Sequence, residues 1–164
     1  DVIDRALLSL KSNDFPIYYL SPRGVKLDAQ ISNSISKLDG MTLVCGKYEG
    51  VDERVIKHYN MIEISIGDYI LSGGDLAAMV LIDSVVRCLP NVLGNPLTLN
   101  EESFTNHLLE YPLYTQPREW KNYKVPDVLL SGDHKKIKNW KIKQSEDITM
   151  KRRPDLWKKY LKLK

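Results

Sequence analysis

The sequence predicts an α/β domain with a largely parallel sheet, followed by a small, basic, helical domain. Over the first ninety residues, short apolar runs alternate with helix-like stretches, which is the pattern of layered α/β domains. The segment that begins near residue 91 carries Gly, Pro, Asn and Ser without helical periodicity, and the chain after it is aromatic and lysine-rich. We therefore expect one domain at 1–92, a linker at 93–106 and a second domain at 107–164.

Three strands are expected in the first domain. The candidates are "PIYYLS" at 16–21, "MTLVCG" at 41–46 and "MIEISIGDYIL" at 61–71. Their aromatic and β-branched residues favour extended chain. The loops "LSPRG", "GKYEG" and "SGGD" follow them. Because loops at the carboxyl ends of parallel strands form the ligand crevice, we expect these loops to converge on one pocket.

Three helices are expected around these strands. "DVIDRALLSL" at 1–10 can place Val2, Ile3, Leu7, Leu8 and Leu10 on one face. "GVDERVIKHY" at 50–59 opens with glycine and acidic residues, which favour a helix N-terminus. The clearest helix is "GGDLAAMVLIDSVVRCLP" at 73–90, with the side chain of its first aspartate as the expected N-cap and proline at its end.

Composition excludes several classes of protein. The 164 residues are 43% hydrophobic and 27% charged, as in soluble globular proteins. No apolar run approaches the roughly 20 residues that span a bilayer, and no secretory leader is recognisable, so we expect a cytoplasmic protein without membrane contact. Cys45 and Cys88 lie far apart and the three histidines are scattered, which argues against a disulfide framework and a tightly bound transition metal.

Charge is distributed unevenly along the chain. The net charge is +3, yet residues 133–164 hold 12 Lys or Arg against 4 Asp or Glu. A basic end on an acidic body indicates a polyanionic partner, with a solvated helix surface as the alternative.

Glycines stand where the pocket is expected, at Gly67, Gly73 and Gly74. Glycine there indicates sharp turns or a close backbone approach. We expect a β-branched side chain at position 73 to clash with a bound ligand or to force an unfavourable φ, while most of the fold stays intact. The sequence has no G-x-G-x-x-G that opens a helix and no G-x-x-x-x-G-K-[ST], which argues against dinucleotide and nucleoside triphosphate sites. From the residues alone, Arg87 is simply a helix-terminal cation and Glu101–Glu102 a solvated pair.

Taken together, the motifs resemble one known family, the bacterial tRNA (guanine-N1)-methyltransferases, TrmD. The matching segments occur in the family's order over nearly the whole length: "YYLSPRG", "LVCGKYEGVDERVI", "SIGDYILSGGDLAAMVLIDSVVR", "VLGN", "EESF", "YPLYTQP", "VPDVLLSGDHKKIKNWK" and "RRPDL". The resemblance implies a SPOUT-type fold, in which a trefoil knot in a parallel sheet with flanking helices forms the cofactor pocket. It also implies a homodimer with the active site at the subunit interface. A knot is a rare exception among protein topologies and enters through the resemblance only.

The resemblance also implies the ligands and the site. The methyl donor would be S-adenosyl-L-methionine, the substrate tRNA, and Mg²⁺ an accessory ion that the family implies. The residues matched to the cofactor are Leu20, Ser21 and Pro22 in the first loop, Gly46, Tyr48, Glu49 and Gly50 in the second, and Ile66, Gly67, Tyr69, Leu71, Gly73 and Gly74 in the third.

The family's reaction methylates N1 of the guanosine immediately 3′ of the anticodon. Guanine N1 carries a proton at neutral pH, so the reaction needs a general base and a cation near O6 that stabilises the developing charge. The family's base matches Glu102 and its arginine matches Arg87.

The chain departs from the family pattern in three places. Glu102 stands where the family usually has aspartate, and Gln116 replaces the arginine of "YTRP". The family's first segment, with its glycine-rich loop, lies before the matching region, so we expect a strand and part of the substrate and dimer surface to be missing here. The alternatives are a SPOUT methyltransferase for another RNA site and a non-catalytic RNA-binding module of this fold. A nucleotide-binding oxidoreductase is disfavoured by the missing fingerprint.

Overall fold

The computed structural model describes residues 2–10, 14–47, 49–93 and 102–164. The chain divides into two compact units, Asp1–Gly94 and Asn95–Lys164, which are described separately. The division falls inside the expected linker at 93–106. Residues 94–101 of that linker lie outside the described residues, so its course stays a prediction.

A parallel sheet forms the centre of the N-terminal unit. Its strands are β1 (Ile17–Lys26), β2 (Thr42–Cys45) and β3 (Ile62–Ser65). They lie in the order β2-β1-β3, and both pairings are parallel. The structure therefore confirms the expected parallel sheet, although β3 ends at Ser65 and the apolar residues after it belong to a loop.

An irregularity in β1 shapes the edge of this sheet. Leu20 and Val25 both pair with Ile64 of β3, so the four residues between them bulge out of the ladder. Gly24 lies at the base of the bulge, where an added Cβ would come 2.3 Å from the carbonyl carbon of Glu63. Only glycine fits against that backbone, and the bulge therefore depends on it.

Helices cover both faces of the sheet. They are α1 (Val2–Leu8), α2 (Ala29–Ile35), α3 (Glu53–His58) and α4 (Asp75–Val86). Tyr18 and Tyr19 are neighbours in β1, so their side chains point to opposite faces. Tyr18 packs in one core cluster with Ile35 of α2 and Leu81 of α4. Tyr19 packs in a second cluster, which includes Leu7 of α1 and Ile56 of α3.

Two predictions about these helices are corrected. Asp75 is the first residue of α4 rather than its N-cap, which is Gly74 and makes no side-chain capping bond. In α1, Leu7 is buried and Ile3 packs beside it, because residues four apart share a helix face. Val2, Leu8 and Leu10 of the expected apolar face are instead exposed, since one short helix contacts the core along a single stripe.

Helix α2 was not predicted from the sequence. The side chain of Asp28 accepts a hydrogen bond of 2.9 Å from the Ile31 backbone N–H. An N-cap aspartate ahead of an isoleucine pair spaced by four was the signal available in the sequence.

The C-terminal unit is largely helical, as expected, but it also contains a hairpin. Its elements are a short 3₁₀ helix (Thr105–His107), β4 (Glu119–Trp120), β5 (Tyr123–Lys124), α5 (Asp127–Leu130), α6 (His134–Arg152) and α7 (Pro154–Leu161). The turn residues Lys121 and Asn122 both have positive φ, 48° and 66°, as a two-residue type I′ turn requires. Across the described ranges, no helix combines the length and apolar character that crossing a membrane would need.

A buried threonine ties α6 to the chain that precedes it. Thr149 is 0% exposed. Its hydroxyl donates to the Ser145 carbonyl at 2.6 Å and accepts from the Leu109 backbone N–H at 2.8 Å. This one side chain therefore satisfies a backbone donor 40 residues away.

We predict that Thr149→Val lowers the free energy of unfolding of the C-terminal unit by about 1–3 kcal/mol. Valine keeps the shape of threonine but leaves the Leu109 N–H without its acceptor. Thr149→Ser is the control, because it keeps both hydrogen bonds and loses only a methyl group. Urea unfolding followed by circular dichroism gives both values, and a valine variant as stable as the parent would contradict the prediction.

Candidate functional site

A cavity of about 430 Å³ opens where the carboxyl ends of β1, β2 and β3 meet. It lies between the β1 bulge (Ser21–Gly24), the loop after β2 (Gly46–Asp52) and the loop after β3 (Ile66–Gly74), here called loops 1, 2 and 3. The N-terminal end of α4 adds Ala77 to the wall. The three loops named from the sequence thus converge on one cavity.

Twelve of the thirteen residues matched to the cofactor line this cavity. They are Leu20, Ser21, Pro22, Gly46, Glu49, Gly50, Ile66, Gly67, Tyr69, Leu71, Gly73 and Gly74. The thirteenth, Tyr48, lies outside the described residues. The structure brings the described residues together, while what they bind stays a prediction.

A backbone contact joins loops 2 and 3. The Gly74 N–H donates to the Gly46 carbonyl at 2.8 Å, and Lys47 and Gly73 form an antiparallel bridge. An added Cβ at Gly74 would lie 2.9 Å from the Cys45 Cα. At Gly73 the nearest atoms would be 3.7 Å away, which is ordinary contact. The glycine at which the protein backbone itself leaves no room for a side chain is therefore Gly74. The clash expected at Gly73 involves a bound ligand and stays a prediction.

Serine hydroxyls stabilise two turns beside the cavity, one in loop 1 and one at the start of loop 3. The buried Ser21 accepts a hydrogen bond of 3.2 Å from the Arg23 backbone N–H in loop 1. At the end of β3, the Ser65 hydroxyl donates to the Gly67 carbonyl at 3.1 Å and accepts from the Gly67 N–H at 3.2 Å. Sequence reasoning did not identify Ser65, although a serine two residues before a glycine is a common turn signal.

An ion-pair network forms the polar wall of the cavity. Arg23 Nη2 lies 2.9 Å from Glu53 Oε2 and 3.1 Å from Glu63 Oε1. Hydrogen bonding from Arg23 holds the pKa of Glu53 below its usual value. The same bonds from the two carboxylates raise the pKa of Arg23. The network connects loop 1 to α3 and β3, with one guanidinium shared between two carboxylates.

Sequence reasoning also missed Arg23, Lys47 and Glu53, which line the cavity beside the predicted residues. Arg23 and Lys47 lie in the loops that the sequence did identify. Glu53 begins α3 directly after loop 2. Glycines, hydroxyls and aliphatic side chains surround the space, so the cavity suits a ligand with a flat apolar part and several hydrogen-bonding groups.

Arg87 is not part of this cavity. It is half-buried at the C-cap of α4, where its backbone N–H donates to the Asp83 carbonyl at 3.2 Å. The opposite end of α4, at Gly74, borders the cavity. Twelve helical residues span about 18 Å, so Arg87 lies that far along the helix from the cavity of its own chain.

Glu102 belongs to the C-terminal unit. It lines a separate cavity of about 400 Å³, together with Thr105 of the 3₁₀ helix and Lys138 and Lys141 of α6. The turn around it contains Phe104 with φ of 77°. The two predicted catalytic residues therefore lie in different units of the chain.

The described residues contain no group of three or more His, Cys, Asp or Glu side chains arranged to hold a metal ion. Cys45 and Cys88 are both free thiols. Burial and the nearby Asp75 carboxylate raise the pKa of the Cys45 thiol, which disfavours the reactive thiolate.

Comparison with known proteins identifies close relatives. The family model described as tRNA (Guanine-1)-methyltransferase TrmD matches residues 1–159. A protein of Pelagibacter ubique named tRNA (guanine-N(1)-)-methyltransferase is 54% identical over 162 residues, which are 99% of this chain and 71% of the relative. Proteins of the same name from Ruegeria sp. and Rhodospirillum rubrum are each 51% identical, over 98% of this chain and 65% and 67% of their own lengths. The chain thus spans about two thirds of these curated relatives.

We predict that Gly74→Ala destabilises the N-terminal unit by about 1–3 kcal/mol, the usual cost of overpacking. The added methyl group would press on the backbone of Cys45 and Gly46 and separate loops 2 and 3. Gly73→Ala is the matched control, because its methyl group meets only ordinary contacts. Denaturant unfolding measures the free energy of unfolding of both variants. Equal values would show that the contact of Gly74 with Cys45 and Gly46 does not exclude a side chain.

Proposed function

This chain belongs to the tRNA (guanine-1)-methyltransferase family, TrmD, and from that premise we propose that it takes part in methyl transfer from S-adenosyl-L-methionine to N1 of a tRNA guanosine. The target within this proposal is the guanosine immediately 3′ of the anticodon. One observation carries the proposal: twelve residues matched to the cofactor surround a single cavity.

The cavity suits S-adenosyl-L-methionine in size and in chemistry. Its volume of about 430 Å³ lies in the range of small-molecule sites. Leu20, Ile66 and Leu71 offer apolar contact for an adenine ring, and the polypeptide at Gly73 leaves room for a close approach. When bound, this cofactor supplies the methyl group. The residues of the chain orient it and exclude water.

In this proposal Glu102 removes the N1 proton of guanine, and Arg87 stabilises the negative charge that then develops toward O6. Glu102 is one methylene longer than the usual aspartate of the family. Two basic residues, Lys138 and Lys141, line the Glu102 cavity and provide favourable surroundings for a carboxylate and for RNA phosphates.

The position of Arg87 supports an active site shared between two subunits. Since Arg87 lies at the far end of α4 from its own cavity, it would serve the cavity of a second copy. The helix also exposes a run of apolar side chains: Leu76, Met79, Val80, Ile82 and Val86. Such a surface is typical of an obligate interface, and we propose that α4 contributes to a homodimer.

The contact between loops 2 and 3 supports the proposed trefoil knot of the SPOUT class. The segment that leaves β3 hydrogen-bonds to the segment that leaves β2 before it enters α4. Close contact between these two loops at the end of a parallel sheet agrees with such a knot. Magnesium and a cytoplasmic location remain expectations that rest on the family.

We predict that Glu102→Gln lowers the rate of tRNA methylation by about 10²- to 10⁴-fold, because glutamine keeps the shape of glutamate but cannot accept the proton. Arg87→Ala lowers it as well, and the two losses combine less than additively if both act on one transition state. Single-turnover transfer of a labelled methyl group to a tRNA transcript measures the rates. Calorimetry with S-adenosyl-L-methionine is expected to give nearly unchanged affinities.

Glu101→Gln is the matched control for Glu102→Gln and is expected to leave turnover nearly unchanged. If Glu101→Gln is the damaging variant, the base is the neighbouring carboxylate. If neither variant matters while the parent chain is active, the proposed base is wrong.

We also predict that tRNA affinity falls steeply with salt, because residues 133–164 carry 12 Lys or Arg against 4 acidic residues. Each phosphate contact contributes a slope of about −0.7 to −0.9 in log affinity against log salt concentration. Lys138→Gln is expected to reduce the slope by about one contact. Lys164→Gln is the control and is expected to leave the slope unchanged, because the ammonium of Lys164 already pairs with Glu146 at 2.7 Å. A slope near zero would contradict phosphate-dominated binding.

A further inference from the structure

The β4–β5 hairpin presents two aromatic rings on one side of the C-terminal unit. Trp120 and Tyr123 are a directly opposed cross-strand pair, so their side chains share a face. Their ring centroids are 6.5 Å apart and the rings are inclined by only 28°. Trp120 is 59% exposed and Tyr123 75% exposed. The two rings are therefore stacked on each other, and both keep much of their surface open to solvent.

Cations surround this surface. Lys121 Nζ lies 4.9 Å from the centre of the Trp120 ring. The hairpin segment 118–124 carries Arg118, Lys121 and Lys124 against the single acidic residue Glu119, whose carboxylate lies 3.8 Å from Lys124 Nζ. The two rings, together with Arg118 and Lys124, border a groove of about 710 Å³, which also includes Tyr114 and Gln116. Open aromatic rings edged by positive charge match the chemistry of an unpaired nucleotide.

We infer that Trp120 and Tyr123 form a stacking platform for an unpaired base of the RNA substrate, with Arg118 and Lys121 near its phosphates. The inference rests on the proposed tRNA substrate and deepens it. Tyr123 is the more open ring, because Lys121 lies over Trp120. A paired base cannot reach such a platform, since its faces are already covered by neighbouring base pairs. The platform therefore distinguishes a loop from a duplex.

If Trp120 and Tyr123 only stabilise the hairpin, the expected effect of a substitution is on stability and not on RNA affinity. Cross-strand aromatic pairs stabilise a hairpin, and a two-stranded hairpin needs such support. In that case a change at Tyr123 lowers stability without a selective effect on RNA.

The test compares two RNAs of equal length and charge, an anticodon stem–loop and a fully paired duplex, by fluorescence anisotropy with the full chain. Tyr123→Leu keeps an apolar side chain and removes the aromatic face. We expect a loss of stem–loop affinity of about 5- to 150-fold, equivalent to the about 1–3 kcal/mol of one base stack, with duplex affinity unchanged. Tyr123→Phe is expected to bind both RNAs like the parent. The exposed Leu163, outside the hairpin, gives the control Leu163→Ala.

Three results would overturn the platform: unchanged stem–loop affinity in Tyr123→Leu, an equal loss on both RNAs, or a change in oligomeric state that accounts for the loss. A parent chain that binds neither RNA would refute the proposed tRNA substrate as well, whereas a parent that binds while the variant matches it refutes only the platform. If Tyr123→Leu does not fold, tryptophan fluorescence of the parent and of Trp120→Phe tests the stacking instead. The stem–loop should quench emission in the parent and less in Trp120→Phe, and equal quenching counts against stacking.

Discussion

The arrangement of the N-terminal unit depends on one backbone contact, the approach of Gly74 to Cys45 and Gly46. The hydrogen bond from the Gly74 N–H to the Gly46 carbonyl joins the loop after β3 to the loop after β2. The same glycine is the N-cap of α4, whose buried side chains cover one face of the sheet. A side chain at this position would separate the two loops and also shift the helix. Both the cavity and the packing of α4 therefore depend on the contact of Gly74 with Cys45 and Gly46.

The cavity is stabilised mainly by short-range contacts. Serine hydroxyls hold two of its turns, and the Arg23 guanidinium pairs with the Glu53 and Glu63 carboxylates. The strong charge lies instead in the C-terminal unit, where α6 and α7 carry most of the lysines. A small ligand needs a few well-placed contacts, whereas the phosphates of a polyanion need many cations whose exact positions matter less. The division therefore agrees with the proposal of a small ligand in one unit and an RNA in the other.

Much of the N-terminal unit could be predicted from the sequence. The strand-forming runs, the loops after them and the helix after Gly74 each carry a local signal, and the structure places them as a parallel sheet with a cavity at the carboxyl ends of its strands. Local signals did not show which glycine is constrained, because the answer depends on Cys45, about thirty residues away in the chain. The α1 face was misjudged because the sequence gives a helix's apolar residues but not the width of its contact. The Lys121–Asn122 hairpin lacks the Asn-Gly signature that usually identifies such turns.

The geometry separates binding from chemistry. Every described residue matched to the cofactor comes from one contiguous unit and lies on loops fixed by that unit's own sheet, so the cavity can form within a single chain. Arg87 lies one helix length away from that cavity, and Glu102 belongs to the other unit. If these two side chains act on the guanine as proposed, catalysis requires an assembly that cofactor binding does not. Substitutions in the loops at the carboxyl ends of the strands would then change cofactor affinity. Substitutions on the apolar face of α4 would change turnover, because a second copy would bring its own Arg87 toward the cavity through that face.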